Sequence, residues 1–359
     1  MNFENQTLVI LSPGFPANEA DSTCLPAQQA FLRALNREFP GVSVVVLAFQ
    51  YPFSETAYTW HGNRILPLNG RNRNKLHRWF LWYKAWGILK NLHKKEKIAG
   101  VFSFWLDECA FVGATFCKRK NIPHFTWLLG QDARPGNRYV RLLKPAASSL
   151  VAMSDLLART FYENYGIRPA NVIPNGIDPS LYPNPAAKRD IDVIGVGSLI
   201  PLKQFDVFIA VVKQLRSHLP GINVLICGKG PEHKKLEQLI IDNSLQQNIS
   251  LTGEIKHEEI LSLLQRSRIM LHTSAYEGFS GACLEALYAG AHVISFFSPQ
   301  DAWIRHWHIA ENSDEMAALA LEILQSVEID HKPVLPYKMS DTAKSIMQLF
   351  AGKQLTGSH

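Results

Sequence analysis

The sequence predicts an α/β protein of two doubly wound parallel-sheet domains, and three observations carry that prediction. Its 359 residues are too many for one ordinary core and suit two domains of about 150 to 200 residues each. Both halves alternate short apolar runs with amphipathic helical stretches, the pattern of βα units whose parallel sheets are covered on both faces. Prolines gather over residues 172–190, where one alternating series ends and the next begins.

In the first half, strand-like runs fall at residues 7–11, 43–49, 100–104, 124–129 and 149–153, with helical patterns at 27–38, 75–95, 108–120 and 155–165. Ligands of such sheets bind beyond the carboxyl ends of the strands. Two of those ends stand out. After the first strand, in SPGFPANEAD, Gly14 either lets backbone approach a ligand or makes a plain Pro/Gly turn. After the fourth, in LLGQDAR, Asp132 either accepts a proton or hydroxyl hydrogen bond from a substrate or caps a following helix.

The net charge of +6 is unevenly spread. Residues 1–170 hold 21 Lys and Arg against 11 Asp and Glu, and the remainder is acidic. The excess centres on residues 71–97, where nine basic residues and one acid, Glu96, accompany Trp79, Trp82, Tyr83 and Trp86 at helical spacing. One reading is an amphipathic helix resting on an anionic membrane surface. The other is a helix whose aromatic stripe packs on the sheet while its lysines stay in water. Nucleic acid is the poorer partner, since no helix-turn-helix, zinc-finger or RNP pattern accompanies the charge.

There is no apolar run of 18 residues and no basic-then-apolar leader, so the chain is expected in the cytoplasm, with peripheral contact to the inner face of the membrane as the extension. Five scattered cysteines show no CxxC spacing, which argues against a disulfide framework or zinc site.

The second half reads as strands at 191–197, 223–227, 249–251, 269–273 and 292–296, with helices at 207–216, 233–243, 257–266 and 281–289 and further helices at 314–324 and 342–350. Its informative stretch is LHTSAYEGFSGACLEALYAG, residues 271–290. A buried strand runs into a glycine-bearing turn and then a helix. Ser280 is placed to cap that helix, and Gly278 and Gly281 leave the N–H groups of Phe279, Ser280 and Gly281 open to an anion. Glu285 falls roughly 6 Å along the helix, and Glu277 lies in the loop. Asp190 and Asp192 spell a DxD, but away from any expected ligand loop, and the His306/His308 pair has no further ligands in sequence. No metal is expected.

Ser274, Glu277, Gly278, Phe279, Leu284, Glu285, Ala286 and Gly290 spell SxxEGFxxxxLEAxxxG, which resembles the donor-site signature of the family 4 glycosyltransferases. Around it, GVGSLIPLKQFD resembles that family's GRLxxxKG segment, with Lys203 at the lysine and Ser198 at the arginine position. CGKGPEHKKLEQL resembles its GxGP turn, through Gly228 and Gly230, and Leu129 stands where many relatives carry a histidine.

The resemblance implies a GT-B fold, with two Rossmann-like domains facing a cleft: residues 1–180, joined by a helix at 340–352, and a donor domain at 181–335. It implies retaining transfer from a nucleotide sugar, UDP- or GDP-linked and bound as substrate with no cofactor, to a hydroxyl acceptor; the basic aromatic stretch at 71–97 alone suggests a lipid-linked one. The donor set would be Gly14, Ser198, Lys203, Gly228, Gly278, Phe279, Ser280, Gly281, Leu284 and Glu285, with Glu277, Lys203 and Asp132 in catalytic roles. The rival reading is a non-catalytic nucleotide-sugar-binding protein of the same fold, which the missing arginine and histidine would fit.

Overall fold

The computed structural model describes residues 3–183 and 188–355, so residues 184–187 of the proline-rich join lie outside the described residues. The chain folds as two compact units, one formed by Met1–Asn175 with Met339–His359 and the other by Gly176–Lys338. Each is an α/β layer structure.

Unit 1 contains β1 (Gln6–Gly14), α1 (Pro26–Glu38), β2 (Val42–Tyr51), β3 (Tyr58–Trp60), β4 (Asn63–Pro67), α2 (Lys75–Lys95), β5 (Ile98–Phe104) and α3 (Glu108–Lys120). Then come β6 (His124–Leu128), α4 (Arg138–Leu143), β7 (Leu150–Ala152), α5 (Asp155–Tyr165) and β8 (Asn171–Val172). The strands order as β3-β4-β2-β1-β5-β6-β7-β8. Every pairing is parallel except β3 with β4. That exception is a two-residue hairpin, closed by His61 and Gly62, both at positive φ.

Apolar burial explains the central strands: β1 and β2 are buried along nearly their whole length, as strands covered on both faces must be. Under one face an aromatic core forms, with Phe31, Phe102, Phe104 and Trp127 all fully buried. On α2, Leu81, Ala85, Leu89 and Leu92 recur at helical spacing and join the core with β2 and α3. Trp82 and Trp86 lean on the same core, against Phe111 and Phe116 at ring separations of 4.8 and 5.2 Å. Trp79 and Tyr83 do not; they face solvent. The aromatic run is therefore divided between two faces.

Unit 2 runs β9 (Ile191–Val196), α6 (Phe205–His218), β10 (Val224–Cys227), α7 (His233–Asp242), β11 (Ile249–Gly253) and α8 (His257–Arg266). It continues with β12 (Ser267–His272), α9 (Gly281–Tyr288), β13 (His292–Ser295), β14 (Trp307–Ile309) and α10 (Ser313–Gln325). The sheet orders β11-β10-β9-β12-β13-β14 and is parallel throughout. Val193, Ile226, Ile269 and Ile294 from four strands meet Phe208, Val212 and Leu236 in one core.

The last helix, α11 (Met339–Leu355), belongs to unit 1. Its Phe350 ring lies edge-on to Phe125 at 4.9 Å. Gly100 makes that seat possible, because a Cβ there would fall 2.2 Å from the Phe350 ring.

Four short strands, β3, β4, β8 and β14, lie outside the sequence expectation. They span two to five residues, too few for an apolar period to declare itself, and they pair only because a longer neighbour offers an edge.

Candidate functional site

In unit 2 the winding reverses at β9, which has β10 on one side and β12 on the other. The loops leaving the carboxyl ends of β9 and β12 part there, and open α/β sheets bind ligands in the crevice so formed. One loop ends in a 3-10 turn, Pro201–Lys203, and the other is residues 273–280. They are stitched together: the Thr273 hydroxyl donates to the Lys203 carbonyl at 2.9 Å and the Ala275 N–H to the Leu202 carbonyl at 2.9 Å.

That stitching brings Lys203 to Glu277. The Lys203 ammonium donates to the Glu277 carboxylate, and Nε2 of His272, the last residue of β12, stands 3.6 Å from the same carboxylate. Burial pulls the Glu277 carboxyl upward, but His272 and Lys203 outweigh it and hold the group below its ordinary value. Burial also holds His272 below the usual imidazole value, so it is neutral near pH 7. Apart from that 3.6 Å approach, its Nε2, like the Ser274 Oγ, is a buried polar atom without a hydrogen-bond partner among the described residues. Such groups are costly unless something completes them.

The second carboxylate is held differently. Ser280 caps α9, its hydroxyl accepting the Cys283 N–H at 3.3 Å, and Phe279, Cys283 and Leu284 are buried beneath it. Gly278 is buried in the loop and Gly281 opens the helix. Glu285 sits in the second turn, with Oε1 2.8 Å from Nε2 of His257, the first residue of α8. From the other side, Tyr182 donates its hydroxyl to the Glu285 carbonyl at 3.1 Å. Glu277 and Glu285 therefore each have a basic or imidazole partner of their own.

A third loop closes the wall. The Gly197 N–H donates to the Cys227 carbonyl at 3.0 Å and the Leu199 N–H to the Lys229 carbonyl at 2.9 Å. A Cβ on Gly228, whose φ is +150°, would lie 1.8 Å from the Gly197 carbonyl oxygen, and one on Gly230 would lie 2.3 Å from that of Leu199. These glycines let two loops interlock, backbone against backbone. Ser198 is left exposed between them.

Two expected residues belong to unit 1. Gly14 ends β1 beside Tyr51, whose Cβ is 3.5 Å from where a Gly14 Cβ would be. Asp132 is buried in the 3-10 turn Gly130–Ala133, its carboxylate accepting the Leu129 N–H at 2.9 Å. Burial pushes it up to about 7, against the pull of the Leu129 and Leu106 N–H groups. Asp107, which caps α3, is also raised well above the usual range, first by burial and then by the charge of Asp132.

Other sequence features find structural work. Asp190 binds Arg266 through both oxygens, at 2.9 and 2.6 Å, and Asp192 accepts the Asn223 N–H at 2.9 Å while facing Arg268 at 3.3 Å. The His306/His308 pair joins His292: the rings of His292 and His306 stack at 4.3 Å, and Nδ1 of His292 lies 3.0 Å from Nε2 of His308. Because Nε2 of His292 donates to the Asp330 carbonyl at 3.0 Å, its Nδ1 accepts and His308 carries the proton between them. Among the described residues no group of three or more His, Cys, Asp or Glu is arranged to hold a metal.

Two family models cover most of the chain. Residues 29–181 match the model described as Glycosyltransferase Family 4, and residues 182–330 match Glycosyl transferases group 1. The chain belongs to glycosyltransferase family 4. Among curated members, it is 32% identical over 127 residues to the human phosphatidylinositol N-acetylglucosaminyltransferase, in one of that enzyme's component chains, a stretch covering 35% of this chain and 26% of the human one. The match thus spans about a quarter of that relative's length. Two solved structures share the GT-B fold of this family 4 chain. Sucrose-phosphate synthase from Thermosynechococcus elongatus has a TM-score of 0.70, at 15% identity over 99% of this chain and 100% of that one. HepE from Anabaena, in complex with UDP and glucose, has a TM-score of 0.67, at 16% identity over 98% of each.

Sequence reasoning passed over His272 and His257, and named Ser274 only as part of the signature. The signal for the first was present, since a histidine that closes an otherwise apolar strand just before a ligand loop is out of keeping with the strand. His257 carried none, as one polar residue at a helix start among several.

Proposed function

We propose that the chain transfers a sugar, with retention, from a nucleotide-sugar donor to a hydroxyl acceptor. The observation that carries this reading is the meeting of Lys203 and Glu277 across two loops at the switch point of unit 2, below a capped helix that bears Glu285. A lysine freed from Glu277 would face the donor's diphosphate, where negative charge develops as the glycosidic bond breaks. The α9 N-terminus adds its dipole to the same end. We place no metal in the reaction, since these groups already meet the diphosphate charge. Glu285, oriented by His257, accepts hydrogen bonds from the two ribose hydroxyls, and Glu277 and His272 meet the sugar. With Lys203 drawn to the diphosphate, the Glu277 carboxylate and the partnerless His272 Nε2 and Ser274 Oγ gain ligand partners. Ser198 offers a hydroxyl hydrogen bond in place of an arginine's charge, and Gly228 keeps the wall thin where the base would rest.

UDP sugars are the first donors to try, since HepE is solved with UDP and glucose, and GDP sugars the second. A lipid-linked acceptor fits both the name of the human relative and the basic, aromatic α2, with unit 1 working at an anionic membrane surface. For Asp132 the proposal is proton acceptance from the acceptor hydroxyl, supported by a carboxyl raised to about 7. Its bond to the Leu129 N–H favours a second role, holding the loop. Asp132→Asn separates the two: a flattened pH–rate profile with an unchanged melting temperature supports the first, and a lowered melting temperature with an unchanged profile the second.

The deciding experiment is calorimetry and thermal shift with UDP, GDP, ADP and dTDP sugars on wild type and Glu285→Ala. Stabilisation by one donor, lost in the variant, is the expected result. Stabilisation without turnover on any hydroxyl acceptor would favour a non-catalytic nucleotide-sugar-binding protein, and no binding at all would overturn the reading.

A further inference from the structure

Among the described residues, no other element covers the exposed arc of α2. Leu76 is 81% exposed, Trp79 68%, Phe80 58% and Tyr83 79%. Spaced three and four residues apart, they share one side of the helix, opposite Leu81, Ala85 and Leu89, which fill the core. Helical proteins bury such side chains or cover them with something else, and four large apolar groups within eight residues form a continuous surface rather than scattered exposure. Phe53 is likewise exposed, at 59%, and covered on one face by the Arg71 guanidinium, 5.3 Å from its ring centroid.

The charges around the arc are mostly basic. Arg71 and Arg73 precede the helix, and Lys90 and Lys94 continue the same helical side toward its C-terminus, all of them exposed. Tyr83 and Trp79 are amphipathic rings suited to the level where headgroups meet acyl chains. On the flank, Arg64, Lys84, Asn91 and Lys95 help line a pocket of about 330 Å³ between β4 and α2, in which Glu55 and Glu96 balance two of the three cations. The positive surplus thus lies on the arc's own side.

We infer that the arc formed by Leu76, Trp79, Phe80 and Tyr83 seats unit 1 on an anionic phospholipid bilayer, with the rings at headgroup depth and Arg71, Arg73, Lys90 and Lys94 on the lipid phosphates. This deepens the membrane reading of the acceptor proposed above. It also moves that reading: Trp82 and Trp86 belong to the core, and the lipid-facing residues are their neighbours. A second protein of acidic character or a second copy of this chain would need apolar groups opposite the rings. A bilayer supplies these along with its phosphates, and charge complementarity selects an anionic one.

Flotation with vesicles of phosphatidylcholine alone and of phosphatidylcholine with one-third phosphatidylglycerol tests the inference, using the whole chain. Wild type should float with the anionic vesicles and not with the neutral ones. A Trp79→Ser/Tyr83→Ser variant should lose at least tenfold in vesicle affinity while keeping its melting temperature and its stabilisation by a nucleotide sugar. Lys90→Glu/Lys94→Glu should weaken binding and remove most of its salt dependence. Absence of flotation overturns the inference, as does flotation unchanged in the serine variant, which would mean attraction by charge alone. Dimerisation in sedimentation that the serine variant abolishes assigns the arc to a second copy and overturns it too. Because donor stabilisation is read separately, failure on vesicles stays distinct from failure of the transferase reading.

Discussion

Lys203 has a carboxylate partner of its own, which makes it more than a surface cation. Glu277 holds the ammonium on the C-terminal edge of the sheet, so under the proposed function a diphosphate would replace one anion with another. Lys203→Ala should lower kcat/KM by about 10²- to 10³-fold with little change in melting temperature, because the pair is only part-buried. Glu277→Gln should leave nucleotide diphosphate binding intact or tightened while turnover falls, measured by calorimetry beside a turnover assay. At Gly228 the outcome is structural: Gly228→Ala places a methyl on the Gly197 carbonyl, and a loss of about 3 kcal/mol is expected in denaturant melts. At this scale the sequence was a better guide to position than to partners. It placed Lys203 and Glu277 in the loops that follow two strands, where the structure also has them, since both lie in motifs with a fixed spacing to their strands. It was silent on the ion pair and on His257, because those contacts join residues 74 and 28 positions apart and no local period records such a distance; His272, close to Glu277 in the chain, stood within its reach.

Elements were legible in proportion to their length. The long helices and the central strands of both sheets announced themselves through apolar period, whereas β3, β4, β8 and β14 are too short to have one. Helix α2 shows the remaining difficulty. Its aromatic residues at helical spacing are compatible with a stripe, yet Trp82 and Trp86 turn toward Phe111 and Phe116 while Trp79 and Tyr83 turn away, a division set by what α3 offers and not by α2 alone. Helix α11 carries the clearest prediction for an element. Phe350 is fully buried between Phe102 and Phe125, and Phe350→Ala should cost about 3–5 kcal/mol in unit 1, read as a lowered first transition if the units melt separately. Gly100→Ala should act the same way, as the methyl and the ring compete for one space.

For the molecule as a whole, the fold class could be read from alternation and length, and the family from motifs in unit 2. The histidines add a property that no motif reported. Burial holds His272, His292, His308 and His331 below the ordinary imidazole value and takes His306 down to about 4. The unfolded chain, with imidazoles near 6.5, then binds more protons than the folded one as pH falls below about 6.5. Stability is therefore retained above that pH and lost below it, by up to about 1.4 kcal/mol per pH unit for each histidine that stays neutral in the fold. The melting temperature of unit 2 should fall steadily between pH 7 and pH 5. His292→Gln should reduce that slope, and an equal slope in the variant would remove the histidine cluster from the account.

The ends of unit 2 meet, Ile177 pairing with Lys338 and donating its N–H to the Tyr337 carbonyl at 2.9 Å. The chain thus leaves unit 1 after Asn175 and comes back at Met339. On the ribosome this fixes an order of events. At about 5–20 residues per second, unit 1 waits roughly ten seconds or more for α11 while unit 2 is made, with the Phe102 and Phe125 rings open to whatever passes, and unit 2 is complete before unit 1 is. A released chain truncated before Met339 should therefore yield a protease-resistant unit 2 and a protease-sensitive unit 1, and the N-terminal portion is the one that stays incomplete longest during synthesis.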